Sequence, residues 1–133
     1  MKRILVGVDG SSEARAAALE AGRLAKATGS VLELLHVVPY LIEAALDSSV
    51  PRTETNEALR GRLLLHWLAQ EVAAETSLAQ GEPADQLAEG ARHADVWLVV
   101  VGHRGRGALK RALLGSVADR LTQISPKPVL VVR

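Results

Sequence analysis

The sequence predicts an α/β fold, an open five-stranded parallel sheet with helices on both faces. Short apolar runs recur along the chain, as in ILVGV at residues 4–8 and DVWLVVVG at residues 95–102. Such runs are typical of strands buried on both faces. Segments with a helical spacing of apolar residues separate them, so strands and helices alternate without a repeat or a linker. The chain has 133 residues, of which 48% are hydrophobic and 23% charged, and we expect one domain spanning residues 1–133.

The first half of the chain starts with two strands around an alanine-rich helix. The run at residues 4–8 ends at Asp9-Gly10-Ser11-Ser12, a turn made of residue types that cap helices. The helix that follows is expected to end at Gly29. Its apolar stripe consists of Ala14, Ala17, Ala21, Leu24 and Ala25. A second strand is predicted at residues 31–38, whereas residues 40–57 include DSSVPRTETN, which is typical of an exposed loop.

The second half predicts three further helix–strand alternations. A helix is expected from Ala58, where Leu59, Leu63 and Trp67 recur at four-residue steps, as do Leu64, Leu68 and Val72. A short strand is expected at residues 76–80. Gly81 and Pro83 then open a helix at residues 83–91, and a third long strand follows at residues 95–102. A last helix is marked by Val117, Leu121 and Ile124, and a last strand lies at residues 128–132. We interpret Trp67 and Trp97 as core residues, and His36 as a satisfied histidine in the core or at its rim.

Composition excludes several classes of site. The chain has no cysteine, which excludes disulfides, thiolate metal sites and cysteine nucleophiles, and its four histidines show no metal-ligand spacing. The net charge is +1 and aromatic residues make up 2%, which argues against a nucleic-acid partner. No apolar segment is long enough for a signal peptide or a membrane span. We therefore expect a cytoplasmic protein with no membrane partner.

Two loops with binding chemistry each follow a buried strand. One is Asp9–Ser12 and the other runs from Gly102 to Ser116. In open parallel sheets, ligands bind outside the carboxyl ends of the strands, where the strand order reverses. The order 3-2-1-4-5 would bring the two loops together at that point, and the positions of the motifs therefore favour it.

The second loop is suited to an anion. Gly102, Gly105 and Gly115 provide backbone that side chains do not obstruct, and Ser116 adds a hydroxyl at the start of a helix. Between them lie the cationic residues Arg104, Arg106, Lys110 and Arg111. The loop fits neither a P-loop, which needs Lys-Ser/Thr after its second glycine, nor the dinucleotide fingerprint. On spacing alone, a basic surface loop with glycines at turns remains an equal alternative.

The spacing Gly102-x2-Gly105-x9-Gly115-Ser116 resembles the signature of the ATP-binding branch of the universal stress protein family. ILVGVDGS at residues 4–11 is similar to the family's first strand and aspartate, and LLHVV at residues 34–38 to its second strand. GEPADQLAEGARHADVWLVVVG at residues 81–102 resembles its fourth helix–strand unit, and PVLVV its end. The resemblance covers nearly the whole chain and is weakest over residues 40–57.

The resemblance implies a Rossmann-like 3-2-1-4-5 sheet that binds ATP across its first and fourth strands. It implies that Asp9 binds the ribose or a phosphate-bound Mg²⁺, and that Gly7 and Val8 flank the nucleotide. It also implies that the Val37 backbone contacts the adenine edge. The phosphates would be held by Gly102, Gly105, Gly115, Ser116 and the N–H of Val117. From the residues alone, Asp9 is equally well a helix-capping or turn aspartate. His103 is either a solvent-facing bystander or a phosphate contact.

Three functions follow as hypotheses. The preferred one is a regulatory module of the stress response that binds ATP without fast turnover, because no general base is evident near the loops. The alternatives are a slow Mg²⁺-dependent ATPase and a dimeric interaction protein with an empty cleft. We also expect a homodimer, because the predicted order places an apolar strand at the sheet edge. Its residues are Val129, Leu130, Val131 and Val132.

Overall fold

The structure, a computed structural model, describes residues 1–39, 56–104 and 113–133. Within these ranges the strands are β1 (Arg3–Gly7), β2 (Val31–Val38), β3 (Glu75–Gln80), β4 (Val96–Gly102) and β5 (Val129–Val132). The helices are α1 (Ser12–Thr28), α2 (Asn56–Val72), α3 (Pro83–Gly90) and α4 (Ser116–Ile124). The strands form one parallel sheet in the order β3-β2-β1-β4-β5. The predicted fold class and strand order are confirmed.

Two apolar layers hold the helices on the sheet. On one face, α1 and α2 pack over strand residues such as Val6, Leu34 and Val100. On the other face, α3 and α4 pack over Leu5 and Val99. Residues on one strand alternate between the two layers, as side chains of period two must. Both faces of β1 and β4 are therefore covered, which accounts for their continuous apolar sequences.

Helix α1 has a clear signal at each end. Its start is capped by Ser11, whose Oγ accepts a hydrogen bond of 3.1 Å from the Ala14 N–H. Its end is Gly29, which has φ 69°, in the left-handed region that favours glycine. The predicted alanine stripe is buried apart from Leu24, which is partly buried and packs against the same core. The helix can lie close to the sheet because these side chains are small.

The interpretation of Trp67 as a core residue is wrong. Trp67 is 68% exposed, and Leu59 and Leu63 on the same stripe are also exposed. The buried face of α2 instead carries Leu65 and Leu68. The sequence of α2 is apolar on several faces, so residues at four-residue steps form more than one apolar stripe. The face that includes Leu68 packs against the sheet, and the stripe that includes Trp67 does not.

The amino ends of the strands carry a charged cluster. Arg3 bonds to Glu33 at 2.9 Å, to Glu75 at 2.7 Å and to Asp95 at 3.3 Å. The hydrogen bond to Glu75 helps to raise the pKa of Arg3 above its usual value. Desolvation raises the pKa of Asp95, but the hydrogen bond from Arg3, a backbone hydrogen bond and the nearby positive charges together outweigh it and hold that pKa below its usual value of 3.8. Ion pairs from Arg3 therefore join the amino ends of neighbouring strands.

Trp97 and His36 each satisfy their polar atoms at the margin of the core. Trp97 is half-buried, and its indole N–H donates to Ser30 Oγ at 3.0 Å. His36 Nδ1 lies 2.7 Å from the carbonyl oxygen of Val8. Because a carbonyl only accepts, Nδ1 carries the hydrogen. The prediction of a satisfied rim histidine is confirmed, and His36 ties β2 to the end of β1.

Candidate functional site

A pocket opens at the carboxyl ends of β1 and β4, where the chain leaves the sheet toward opposite faces. The pairing of Val6 with Val100 sets these two strand ends side by side. Helix α1 then covers one face and α4 the other, so a gap remains between their amino ends. This is the switch point at which parallel sheets bind ligands, and the first predicted loop meets the described start of the second one there.

The interior of this pocket is apolar and its rim is polar. The apolar part is contributed by both strand ends, by β2 and by α3 and α4, through Val8, Leu35, Val37, Pro83, Leu87, Val101, Val117 and Ala118. Asp9, Ser11 and Arg104 provide polar groups. An apolar cleft with a few convergent polar groups is the usual form of a small-molecule site.

Asp9 is held in a turn at the rim. Its Oδ1 accepts hydrogen bonds from the Ser11 N–H at 3.0 Å and from the Ser11 hydroxyl at 2.6 Å. Gly10 between them has φ 87°, which favours glycine. The turn role that the sequence left open for Asp9 is therefore present. It also fixes the carboxylate at the pocket, so the same residue is positioned for a ligand.

Gly7 and Gly102 are required by packing as well as by the pocket they line. A Cβ added at Gly7 would lie 2.7 Å from Leu87 Cδ1. One added at Gly102 would lie 2.8 Å from the carbonyl carbon of Glu13 and 2.9 Å from its oxygen. Sequence reasoning assigned both glycines to ligand contact. The structure adds that they let α3 and the first turn of α1 approach the strand ends.

The amino end of α4 forms another wall. Gly115 caps the helix with φ −63°, a conformation open to any residue, and its N–H donates to the His103 carbonyl at 2.8 Å. The His103 N–H in turn donates to the Val132 carbonyl at 2.6 Å. The Gly115 amide is thus already engaged. The first three N–H groups of a helix have no partner within it, and here they belong to Ser116, Val117 and Ala118. Val117 and Ala118 line the pocket, whereas Ser116 is exposed.

Arg104 is the cationic group of the rim. Its Nη2 lies 3.7 Å from Glu13 Oε1, and the two side chains are 26% and 29% exposed. Its Nε is buried, and no hydrogen-bond partner reaches it from the described residues. An unpaired buried donor at a pocket is unusual in folded proteins.

The structure brings together most of the residues that the sequence singled out. Residues that line the pocket are Gly7, Val8, Asp9, Val37, Gly102 and Val117. Gly115 and Ser116 lie beside it at the start of α4, and Gly105 is outside the described residues. Sequence reasoning missed the apolar wall formed by Leu35, Pro83 and Leu87. Pro83 opens a helix directly after β3, which was a usable signal, but nothing in the sequence indicated that Leu87 would contact Gly7.

The described residues contain neither a cluster of metal ligands nor a membrane-spanning helix. Across residues 1–39, 56–104 and 113–133, no three His, Asp or Glu side chains are grouped as a metal site would require. No helix in these ranges is long and apolar enough to cross a membrane.

Comparison with known proteins gives consistent matches. The model of the universal stress protein family matches residues 1–133. The universal stress protein YxiE of Bacillus subtilis (strain 168) is 35% identical over 150 residues, which cover 98% of each chain. The solved structure of the universal stress protein UspA from Lactobacillus plantarum has a TM-score of 0.86 at 28% identity, over 99% of this chain and 97% of that one. A universal stress protein solved in complex with cAMP has a TM-score of 0.76 at 26% identity, again over 99% and 97%. The sheet order, the two loops at the switch point and these matches lead to one conclusion: the chain belongs to the universal stress protein family.

Proposed function

We propose that this protein binds an adenine nucleotide, with ATP as the expected ligand, in the pocket at the ends of β1 and β4. The observation that carries the proposal is the convergence of an apolar floor, the Asp9 turn and the amino end of α4 on one pocket. The glycine signature of the ATP-binding branch falls on the same loops. The related structure in complex with cAMP supports the choice of an adenine nucleotide.

The pocket suits each part of such a ligand. The apolar floor would accept the adenine ring, and the backbone of Val37 would contact its polar edge. The free N–H groups and the dipole at the start of α4 would attract phosphate, together with Gly102, Gly105, Gly115 and Ser116. Gly7 and Val8 would flank the nucleotide. Residues 1–133 would act as one nucleotide-binding domain.

We propose that Mg²⁺ binds together with the phosphates of the nucleotide. Mg²⁺ prefers oxygen ligands and is commonly held by one or two carboxylates together with substrate phosphates. The Asp9 carboxylate at the rim fits that pattern, because phosphate oxygens would complete the ligand set that the described side chains do not supply. The same carboxylate could instead bind the ribose hydroxyls. Bound Mg²⁺ would neutralise phosphate charge.

We propose a regulatory role rather than fast catalysis. Asp9 carries the one carboxylate among the described residues that line the pocket. Its Oδ1 already accepts two hydrogen bonds from Ser11. A group fixed in this way is a poor general base for water. Slow Mg²⁺-dependent ATP hydrolysis remains the second candidate, and phosphate release far below the ~1–10³ s⁻¹ usual for enzymes is expected.

A homodimer through β5 belongs to the same proposal. The two sheet edges differ: β3 carries Glu75, Thr76 and Gln80 exposed, whereas β5 is VLVV and half-buried. Polar edges resist pairing with another chain and apolar ones invite it. Antiparallel pairing of β5 with its copy would close under a twofold axis. The proposed contact residues are Val129, Leu130, Val131 and Val132.

Calorimetry with ATP and Mg²⁺ tests the nucleotide site. Gly115→Trp should abolish binding and leave the thermal unfolding midpoint within a few degrees of the native protein, because the backbone at Gly115 has an ordinary conformation. Gly29→Asn, at the far end of α1, is a control that keeps a residue tolerant of left-handed backbone and should not change ATP affinity. Native-like affinity in Gly115→Trp would remove the assignment. Phosphate release at enzymatic rates, lost in Asp9→Ala, would favour the ATPase instead.

A further inference from the structure

Arg104 carries the one buried side-chain polar atom that has no hydrogen-bond partner among the described residues. A guanidinium has five N–H donors. Within the described part of the chain, Arg104 forms an ion pair with Glu13 at an N–O distance of 3.7 Å. Charge-assisted hydrogen bonds are usually about 2.7–2.9 Å long, so this pair is a loose one. The Nε donor is fully buried and has no acceptor in the described part of the chain. A buried donor left in that state costs stability unless an acceptor arrives.

The position of Arg104 shows what kind of acceptor would fit. Arg104 lies two residues beyond Gly102 and lines the same pocket as Val117 and Ala118 in the first turn of α4. The guanidinium and the helix amino end therefore place positive potential on one cavity from two elements. An anionic oxygen in that cavity could accept from both. A planar guanidinium also matches the two oxygens of a phosphate group.

Glu13 provides the opposing charge. It lies in the first turn of α1, where a carboxylate is favoured by the helix dipole, and its Oε2 accepts from the Ser12 hydroxyl at 3.1 Å. The backbone of Glu13 is also the part of α1 that approaches Gly102 most closely. Glu13 is thus fixed beside Arg104. A phosphate that binds Arg104 must compete with this carboxylate.

We infer that Arg104 is the residue with which the pocket recognises the negative charge of its nucleotide, and that Glu13 holds the guanidinium until a phosphate takes its place. This inference rests on the proposed nucleotide site and names the group that discriminates phosphorylated from uncharged adenine compounds. Glu13 competes with phosphate for the guanidinium of Arg104. It lowers the affinity for phosphates and leaves the affinity for an uncharged nucleoside unchanged.

The test is calorimetry at low and high salt with ATP and with adenosine, on the native protein and on single variants. Arg104→Gln should bind ATP roughly ten- to a hundredfold more weakly, the effect of losing one charged hydrogen bond, and should bind adenosine within twofold of the native protein. Its ATP affinity should depend less on salt. Arg104→Lys should recover part of the loss. Glu13→Gln should bind ATP a few times more tightly and adenosine unchanged.

Arg15→Gln is the matched control, because it also removes one positive charge, from the helix that carries Glu13, while Arg15 pairs with Glu71 away from the pocket. It should leave ATP affinity within twofold. If Arg104→Gln and Arg15→Gln bind ATP equally well and as tightly as the native protein, the inference is overturned and the nucleotide site stands. An equal loss of ATP and adenosine binding in Arg104→Gln would also overturn it, since Arg104 would then support the pocket rather than read charge. A native protein that binds neither compound would remove both the inference and the proposed function.

Discussion

Replacing Gly102 by alanine would disturb the contact on which the geometry of the pocket depends. The added Cβ would lie 2.8 Å from the carbonyl carbon of Glu13 and 2.9 Å from its oxygen and its Cβ. Two of these atoms belong to helix backbone, so rotation of a side chain cannot relieve the clash. Overpacking of this kind costs about 1–3 kcal/mol. At roughly 3–5 °C per kcal/mol for a domain of this size, the unfolding midpoint should fall by ~3–15 °C.

Gly22→Ala is the matched control for this prediction. A Cβ at Gly22, inside α1, would meet Val72 and Leu32 at 3.6–3.8 Å, which is ordinary van der Waals contact. Replacing a helix-interior glycine in that setting should stabilise the protein by about 0.5–1 kcal/mol. Thermal unfolding of both variants and ATP calorimetry of Gly102→Ala provide the assay. The reasoning is refuted if Gly102→Ala unfolds at the native midpoint, or if Gly22→Ala loses as much stability as Gly102→Ala.

Two other predictions concern regions remote from the pocket. Val131→Pro should convert the proposed dimer to a monomer in size exclusion with light scattering, because proline removes an edge N–H; a dimer that survives must use another surface. Arg3→Gln should destabilise the protein at pH 7 more than at pH 3. Arg3 holds the pKa of Asp95 below 3.8, so the stability gained from this pair is complete above that value and is lost as the pH falls through the lower folded-state pKa. A stability difference that stays constant between the two pH values, followed by denaturant unfolding, would contradict this role.

The fold could be predicted from the sequence because its strands are buried on both faces. ILVGV, and DVWLVVVG after its initial aspartate, have no polar residue to mark an exposed side, so they indicate a parallel sheet between two helix layers. The strand order was predicted from the binding motifs, because the order 3-2-1-4-5 sets the Asp9 turn against the loop that starts at Gly102. The ends of elements were predicted to within one or two residues where glycine, proline or a capping serine marks them, as at Ser11 and Gly29.

Other features depend on tertiary contacts and could not be predicted. Helix α2 has more than one apolar stripe, and its packing against β2 and β3 decided that Leu65 rather than Trp67 is buried. Glycine spacing indicates free backbone amides, but the hydrogen bond from Gly115 to the His103 carbonyl forms only when β4 and α4 meet. The packing role of Gly102 likewise depends on how closely α1 approaches the sheet. None of these contacts leaves a periodic pattern in the sequence.

An NMR map of backbone amide shifts during titration with ATP and Mg²⁺ tests the central claim most directly, because it reports both binding and location. We predict saturable shifts that are largest at Asp9, Gly102, Val117 and Ala118, which surround the pocket. Amides near Arg3, at the opposite ends of the strands, should remain unchanged. An absence of shifts at millimolar ATP, or shifts concentrated around Arg3, would contradict the account.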